Sequence, residues 1–190
     1  NIAKAINKVD VNFFMCAIYL RAMLILLSPA KTLDHNALGC DELASLPHHM
    51  TEAAELMTVL KAYTHSDLTK SMKLSKNLAE KVTDWHANWT THTSVGAAVK
   101  SKAQACAFAM KGEAFKFLDA PSLSKEELMY AQKNLIVLSG LYGMLRPCDL
   151  IMPYRLEMGQ TFKVSQDHKT LHSFWSGVYH DAFSKTLKDR

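Results

Sequence analysis

The apolar positions of this chain change period along its length, and the changes mark out its elements. Met23-Leu24-Ile25-Leu26-Leu27 is an unbroken apolar run ended by Ser28-Pro29. It predicts a strand covered on both faces, with Ser28 to Asp34 as the loop leaving its end. From Thr51 to about Tyr63 the spacing turns helical, with Ala54, Leu56, Met57 and Leu60 apolar and Thr51 placed to cap; a short helix follows from Ser66. Leu78, Val82, Trp85 and Trp89 form one stripe of a helix starting near Ser75, which puts both tryptophans in the core. The alanine-rich stretch from Val95 to Met110 predicts a further helix, closed by a turn or cap at Lys111-Gly112-Glu113. Ser124, with Glu127 three residues on, completes a capping box, and the helix it opens gives way to Leu135-Ile136-Val137-Leu138, a second buried strand. Leu171, Trp175, Val178 and Ala182 then set a last helix running almost to Arg190.

Strands separated by helices imply a mixed α/β (α+β) fold, and no repeat, low-complexity tract or glycine-rich linker divides it. One compact domain is expected from 190 residues. With 48% hydrophobic residues the chain has enough apolar surface to fold. The formal charge of +4 owes half its value to Lys4, Lys8, Arg21 and Asp10; from Met23 onward, 19 basic residues (22 less 3) face 17 acidic ones (18 less 1). Any nucleic-acid affinity must therefore come from basic residues gathered on one face. Cys16, Cys40, Cys106 and Cys148 have no zinc or disulfide spacing and read as free thiols in a reducing compartment. Cys148 alone invites a redox role, because the nearby Arg146 guanidinium can lower its pKa.

Residues 1–22 read as an upstream or non-native extension rather than a signal peptide, with a membrane anchor as the lesser alternative, since Asp10, Asn12 and Arg21 interrupt the apolar run. Residues 23–190 then form the domain, and the last helix ends without a cap or closing strand, so the C-terminal part of the domain is expected to be missing.

The densest unusual segment is Leu138-Ser139-Gly140-Leu141-Tyr142-Gly143-Met144-Leu145-Arg146-Pro147-Cys148-Asp149-Leu150, continued by Met152-Pro153-Tyr154-Arg155-Leu156-Glu157-Met158-Gly159. Gly140 and Gly143 allow main-chain amides to approach an anion, and Arg146 and Arg155 can grip phosphate or carboxylate, with Asp149 and Glu157 as competing partners. Ser28, Lys31 and Thr32 follow a strand as in phosphate-binding loops, but the glycines of such loops are missing, which argues against a nucleoside triphosphatase. Tyr142 and Tyr154 can stack on bases or pack inside. His168 and His172 sit four apart on the predicted last helix, with His180 further along, but no carboxylate joins them, so no metal or cofactor is assigned.

Three segments, Leu24 to Asp34, the run from Leu138 to Gly159, and Phe174-Trp175, closely resemble in order and spacing the successive motifs of the YaaA peroxide-stress family. The resemblance covers Met23 to the last residue. It implies a compact mixed α/β fold with a helix-hairpin-helix element and a basic cleft, and a further segment beyond the last helix here. It also implies a cytoplasmic bacterial protein of hydrogen peroxide resistance that limits free intracellular iron and DNA damage, and that binds duplex DNA. No reaction is implied. On that basis Ser28, Lys31, Thr32, Lys111, Gly140, Tyr142, Gly143, Arg146, Tyr154 and Arg155 are the candidate DNA- or anion-binding residues, with the hairpin placed at Gly140 to Gly143. The sequence departs from the family at Glu113 and Phe115, where Asp and Tyr are usual. Two other readings stand beside this one: an enzyme acting on a phosphorylated or nucleotide-like small molecule, and an iron-handling protein using His168 and His172. A membrane partner is not expected, and oligomeric state is left open.

Overall fold

A computed structural model describes residues 23–34, 39–160 and 162–188; the expected upstream extension lies outside the described residues. A three-stranded sheet is built from β1 (Ile25–Leu27), β5 (Leu135–Ser139) and β6 (Gly143–Leu145), in the order β1-β5-β6. β1 runs parallel to β5, with Leu27 beside Val137, and β6 returns antiparallel, with Leu145 also beside Val137. Two antiparallel ladders flank this sheet. In one, β2 (Thr32–Leu33) pairs with β4 (Met110–Lys111); in the other, β3 (Gln104–Ala105) pairs with β7 (Leu150–Ile151). The architecture is the mixed α/β arrangement that the alternation of elements implies.

The helices carry most of the core. α1 (Met50–Lys61) and α2 (His65–Met72) both pack on α3 (Lys76–Asn88), burying Leu56, Leu60, Leu68 and Val82. α2 is opened by a Thr64–Asp67 capping box and α3 by Ser75, whose hydroxyl accepts the Leu78 amide. α7 (Lys125–Asn134) starts at the Ser124–Glu127 capping box and passes directly into β5. Three local expectations are corrected. α1 begins one residue before Thr51, behind His49, with no side-chain cap, so Thr51 caps nothing. Trp89 is buried, but Trp85 is only partly so, against the core's edge. β1 is not covered on both faces: it is the edge strand among the described residues, and Met23, Ile25 and Leu26 are exposed.

The alanine-rich helix is also broken up. α4 (Val95–Lys100) stops at Lys102, which takes the left-handed conformation at φ 60. The chain then forms β3, a single turn α5 (Cys106–Ala109) and β4. From Ala103 to Met110 every residue but Gln104 is buried. The Cys106 and Ala107 amides donate to the Asp149 and Pro147 carbonyls at 2.9 Å. Alanine is frequent here because backbone passes close to backbone in the core, not because the chain is helical, so tertiary pairing overrides propensity. The turn at Gly112 is as expected: it caps α6 (Glu113–Leu118), within which Phe115 is buried.

The segment Gly140 to Tyr142 joins β5 to β6, two antiparallel strands. The helix-hairpin-helix expected at that place is therefore a β-hairpin. Last comes α8 (Leu171–Lys188), as the apolar spacing requires. His168 precedes it, so His168 and His172 do not share a helix face.

Candidate functional site

The register of the central sheet sends the candidate residues to opposite ends. β1 ends level with Val137 and the chain continues past the carboxyl end of the parallel pair, toward Lys31; β6 also ends level with Val137 but travels the other way, toward Arg146. The carboxyl end of parallel strands is where open α/β sheets commonly bind ligands.

At that end the β2–β4 ladder sets Thr32 beside Lys111. The Asp34 amide donates to the Ala109 carbonyl at 2.7 Å, and the Lys111 ammonium sits 3.5 Å from the Asp34 carboxylate. Lys31 joins from the preceding loop, with its ammonium 3.0 Å from one Glu157 oxygen. The Arg155 guanidinium takes the other Glu157 oxygen at 2.9 Å and donates to the Lys31 carbonyl at 3.3 Å. Glu157 thus bridges two cations, its amide held in turn by the Gln160 side chain at 2.8 Å. The cations are not equivalent. Lys31 and Lys111 side chains are 67% and 49% exposed, whereas Arg155 is 15% exposed. Arg155 therefore orders the cluster, and the lysines face solvent. Ser28 is exposed in the loop that leads to them.

Beneath the cluster His86 accepts the Arg155 amide on Nε2 at 3.3 Å. Burial holds its pKa down to about 4, with Lys61 acting in the same direction. The imidazole is neutral, and its acceptor nitrogen fixes the backbone of Arg155.

The glycine-rich hairpin does not offer its amides outward. The Leu141 and Tyr142 amides both donate to the Ser139 hydroxyl, at 3.2 and 3.0 Å. With both lone pairs used, that hydroxyl sends its own proton to the Tyr154 oxygen, 2.7 Å away. The Tyr142 hydroxyl in turn accepts from Trp89 Nε1 at 2.7 Å and from the Met152 amide at 2.9 Å. Burial pushes both tyrosine hydroxyls well above their ordinary pKa. Tyr142 and Tyr154 are thus core residues rather than stacking platforms. Gly140 is buried beneath residues 156 and 157, where a Cβ would lie 2.4 Å from the Leu156 carbonyl oxygen. Gly143 has φ +67 and seats the Trp175 ring, whose Cζ3 would lie 2.6 Å from a Cβ. The glycines serve close packing.

The opposite end of the sheet holds a second group. Arg146 is exposed there. Asp149 is buried; its carboxylate accepts the Ser45 hydroxyl at 2.7 Å and the Arg146 amide at 2.8 Å. Burial raises its pKa to about 6, against the stabilising pull of those two hydrogen bonds and of the Arg146 charge. So Arg146 does not join Lys31, Lys111 and Arg155.

Residues 23–190 match the family described as peroxide stress protein YaaA. The chain belongs to that family. Its YaaA-type relatives include a UPF0246 protein of Marinomonas sp. (strain MWYL1), 37% identical over 168 residues, which are 88% of this chain and 62% of the relative. A UPF0246 protein of Shewanella amazonensis is 38% identical over 165 residues, 87% of this chain and 62% of its own length. One from Aliivibrio fischeri (strain MJ11) is 37% identical over 166 residues, with the same two coverages. The chain therefore spans about three-fifths of the length of the curated relatives it matches. Among the described residues of this YaaA-family chain no helix is long and apolar enough to cross a membrane, and no three His, Cys, Asp or Glu side chains are grouped to hold a metal ion.

Four site residues escaped the sequence reading: Asp34, His86, Ser139 and Glu157 as a bridge. Glu157 was visible only as a neighbour of Arg155. His86 gave no signal, because its partner lies 69 positions away.

Proposed function

We propose that this chain acts in resistance to hydrogen peroxide in the cytoplasm, limiting free iron and DNA damage, and that it holds duplex DNA through the basic cluster at the carboxyl end of β1. Membership of the YaaA family supports the first part. The observation that carries the second is the convergence of Lys31, Thr32 and Lys111 on one exposed edge, ordered from below by Arg155. The Glu157 and Asp34 carboxylates are displaceable partners for the lysines, because exposed ion pairs contribute only about 0–1 kcal/mol each. A phosphate can take their place at little cost, and the Thr32 hydroxyl adds a neutral donor beside it. Arg146, at the other end of the sheet, is a second contact for a duplex long enough to reach it.

The test is binding of a fluorescent duplex across a salt series, with the 190-residue chain and its Lys31→Glu/Lys111→Glu variant. Salt-dependent binding is expected, with a slope of log Kd against log salt that falls by about 2 in the variant, since each lost phosphate contact removes about 0.9. A slope that stays the same places the duplex elsewhere. Absence of duplex binding, with saturable binding of a nucleotide that is lost in Lys31→Ala, favours instead an enzyme acting on a phosphorylated small molecule.

A further inference from the structure

Three thiols from distant parts of the sequence meet at the end of the sheet opposite the lysines. The backbone brings them there. Residues 45 and 149 form a parallel bridge, in which the Ser45 amide donates to the Cys148 carbonyl at 3.1 Å and the Leu150 amide to the Ser45 carbonyl at 2.8 Å. Cys40 stands just upstream, folded back by a single 3-10 turn at Asp41–Leu43. On the other side the Cys106 amide donates to the Asp149 carbonyl at 2.9 Å. Cys40, Cys106 and Cys148 are all buried, and none is in a disulfide. Cys40 keeps 8% of its surface in contact with solvent, whereas Cys106 and Cys148 keep 0%.

The three differ in chemistry. The Cys40 thiol hydrogen-bonds Cys148, and this holds the Cys148 pKa below its ordinary value, against burial and the nearby Asp149 and Cys106. The Arg146 guanidinium, which the sequence suggested as the cause, is not among the contributors. Burial, with Asp149 and Cys40, pushes Cys106 well up, and its thiol points at the Met110 sulfur, 3.9 Å away. Cys106 is thus an inert neighbour, and Cys148 with Cys40 is a hydrogen-bonded dithiol.

We propose that Cys40 and Cys148 form a peroxide-reactive pair that closes to a disulfide. The Cys148 thiolate attacks one oxygen of hydrogen peroxide, entering from the Cys40 side; the oxygen–oxygen bond breaks and hydroxide leaves, taking up a proton as water. Cys148 is then a sulfenic acid. The Cys40 sulfur attacks it, the sulfur–oxygen bond breaks, and the second oxygen leaves as water with the Cys40 proton. Two thiols are oxidised to one disulfide while one peroxide is reduced to two waters. The reaction goes beyond the DNA-binding reading and does not depend on it.

The test is peptide mapping of the reduced 190-residue chain after graded hydrogen peroxide, with free thiols alkylated under unfolding conditions. The expected result is a Cys40–Cys148 cross-linked peptide and the loss of two alkylatable thiols, at doses where Cys106 is still fully alkylated. In Cys40→Ser a sulfenic-acid trap should label Cys148. Should that variant not fold, the unmodified chain's map decides alone. Cys40 and Cys148 still alkylatable at doses that turn exposed methionines to sulfoxide would overturn the proposal, and so would linkage of Cys148 to Cys106. DNA binding is absent from every readout, so either reading can fail without the other.

Discussion

Removing the Ser139 hydroxyl takes an acceptor from two buried amides and a donor from the buried Tyr154 oxygen at once. Each orphaned buried group costs about 1–3 kcal/mol, so Ser139→Ala should lower stability by about 3 kcal/mol in denaturant titrations, with no change in net charge. Two buried titratable residues set opposite pH trends. Folded His86 takes a proton only near pH 4 and the unfolded imidazole near 6.5, so acidification across that window favours unfolding. Folded Asp149 takes its proton near pH 6 and the unfolded carboxyl near 3.8, so acidification there favours the fold. Each is worth about 3 kcal/mol, and they offset one another. His86→Gln, which keeps an acceptor for the Arg155 amide, should therefore gain stability relative to the unsubstituted chain as pH falls from 6.5 to 4, measured as urea midpoints. A midpoint difference that does not move with pH would mean His86 is not buried neutral. At this scale the sequence disclosed where the chain is unusual but not which way it faces. Two glycines and two arginines in one stretch of sequence mark a constrained backbone, yet what constrains the glycines is Ser139, Leu156 and Trp175, and none of those contacts leaves a local pattern.

The elements were legible where the signal is local. Ser124 and Glu127 satisfy each other's amides within one turn, and the structure has both bonds. Ser124→Ala should cost about 1 kcal/mol, read as a shift in thermal midpoint, because only one cap is lost and the site is exposed. The elements were illegible where a distant strand decides. Between Ala103 and Met110, alanine spacing favours a helix, but β7 and the carbonyls of Pro147 and Asp149 take the same amides for a ladder. β1 shows the complementary failure: an apolar run says strand, and the pairing with Leu135 to Val137 is there, but nothing in five apolar residues tells an edge from a centre.

For the molecule as a whole, that edge matters. Among the described residues, Ile25 and Leu26 of β1 lie on an exposed apolar edge, the kind of surface on which another strand can add. Leu26→Lys should reduce concentration-dependent self-association of this chain in sedimentation velocity, leaving helicity unchanged. At the other end of the sequence, an indole of the last helix reaches the central hairpin. Trp175 is fully buried, donates to the Gly140 carbonyl at 2.9 Å, and lays its ring where Gly143 has no side chain. That contact couples positions 143 and 175 sterically. A lineage that acquires a side chain at 143, asparagine being the least strained at that φ, must first or simultaneously shrink the indole, whereas one that substitutes Gly140 meets the main-chain oxygen of Leu156 and has no partner to change. The two glycines of this hairpin thus tolerate a side chain differently: at 143 a smaller residue at 175 makes room for it, whereas at 140 it meets main chain and no side-chain change elsewhere relieves it.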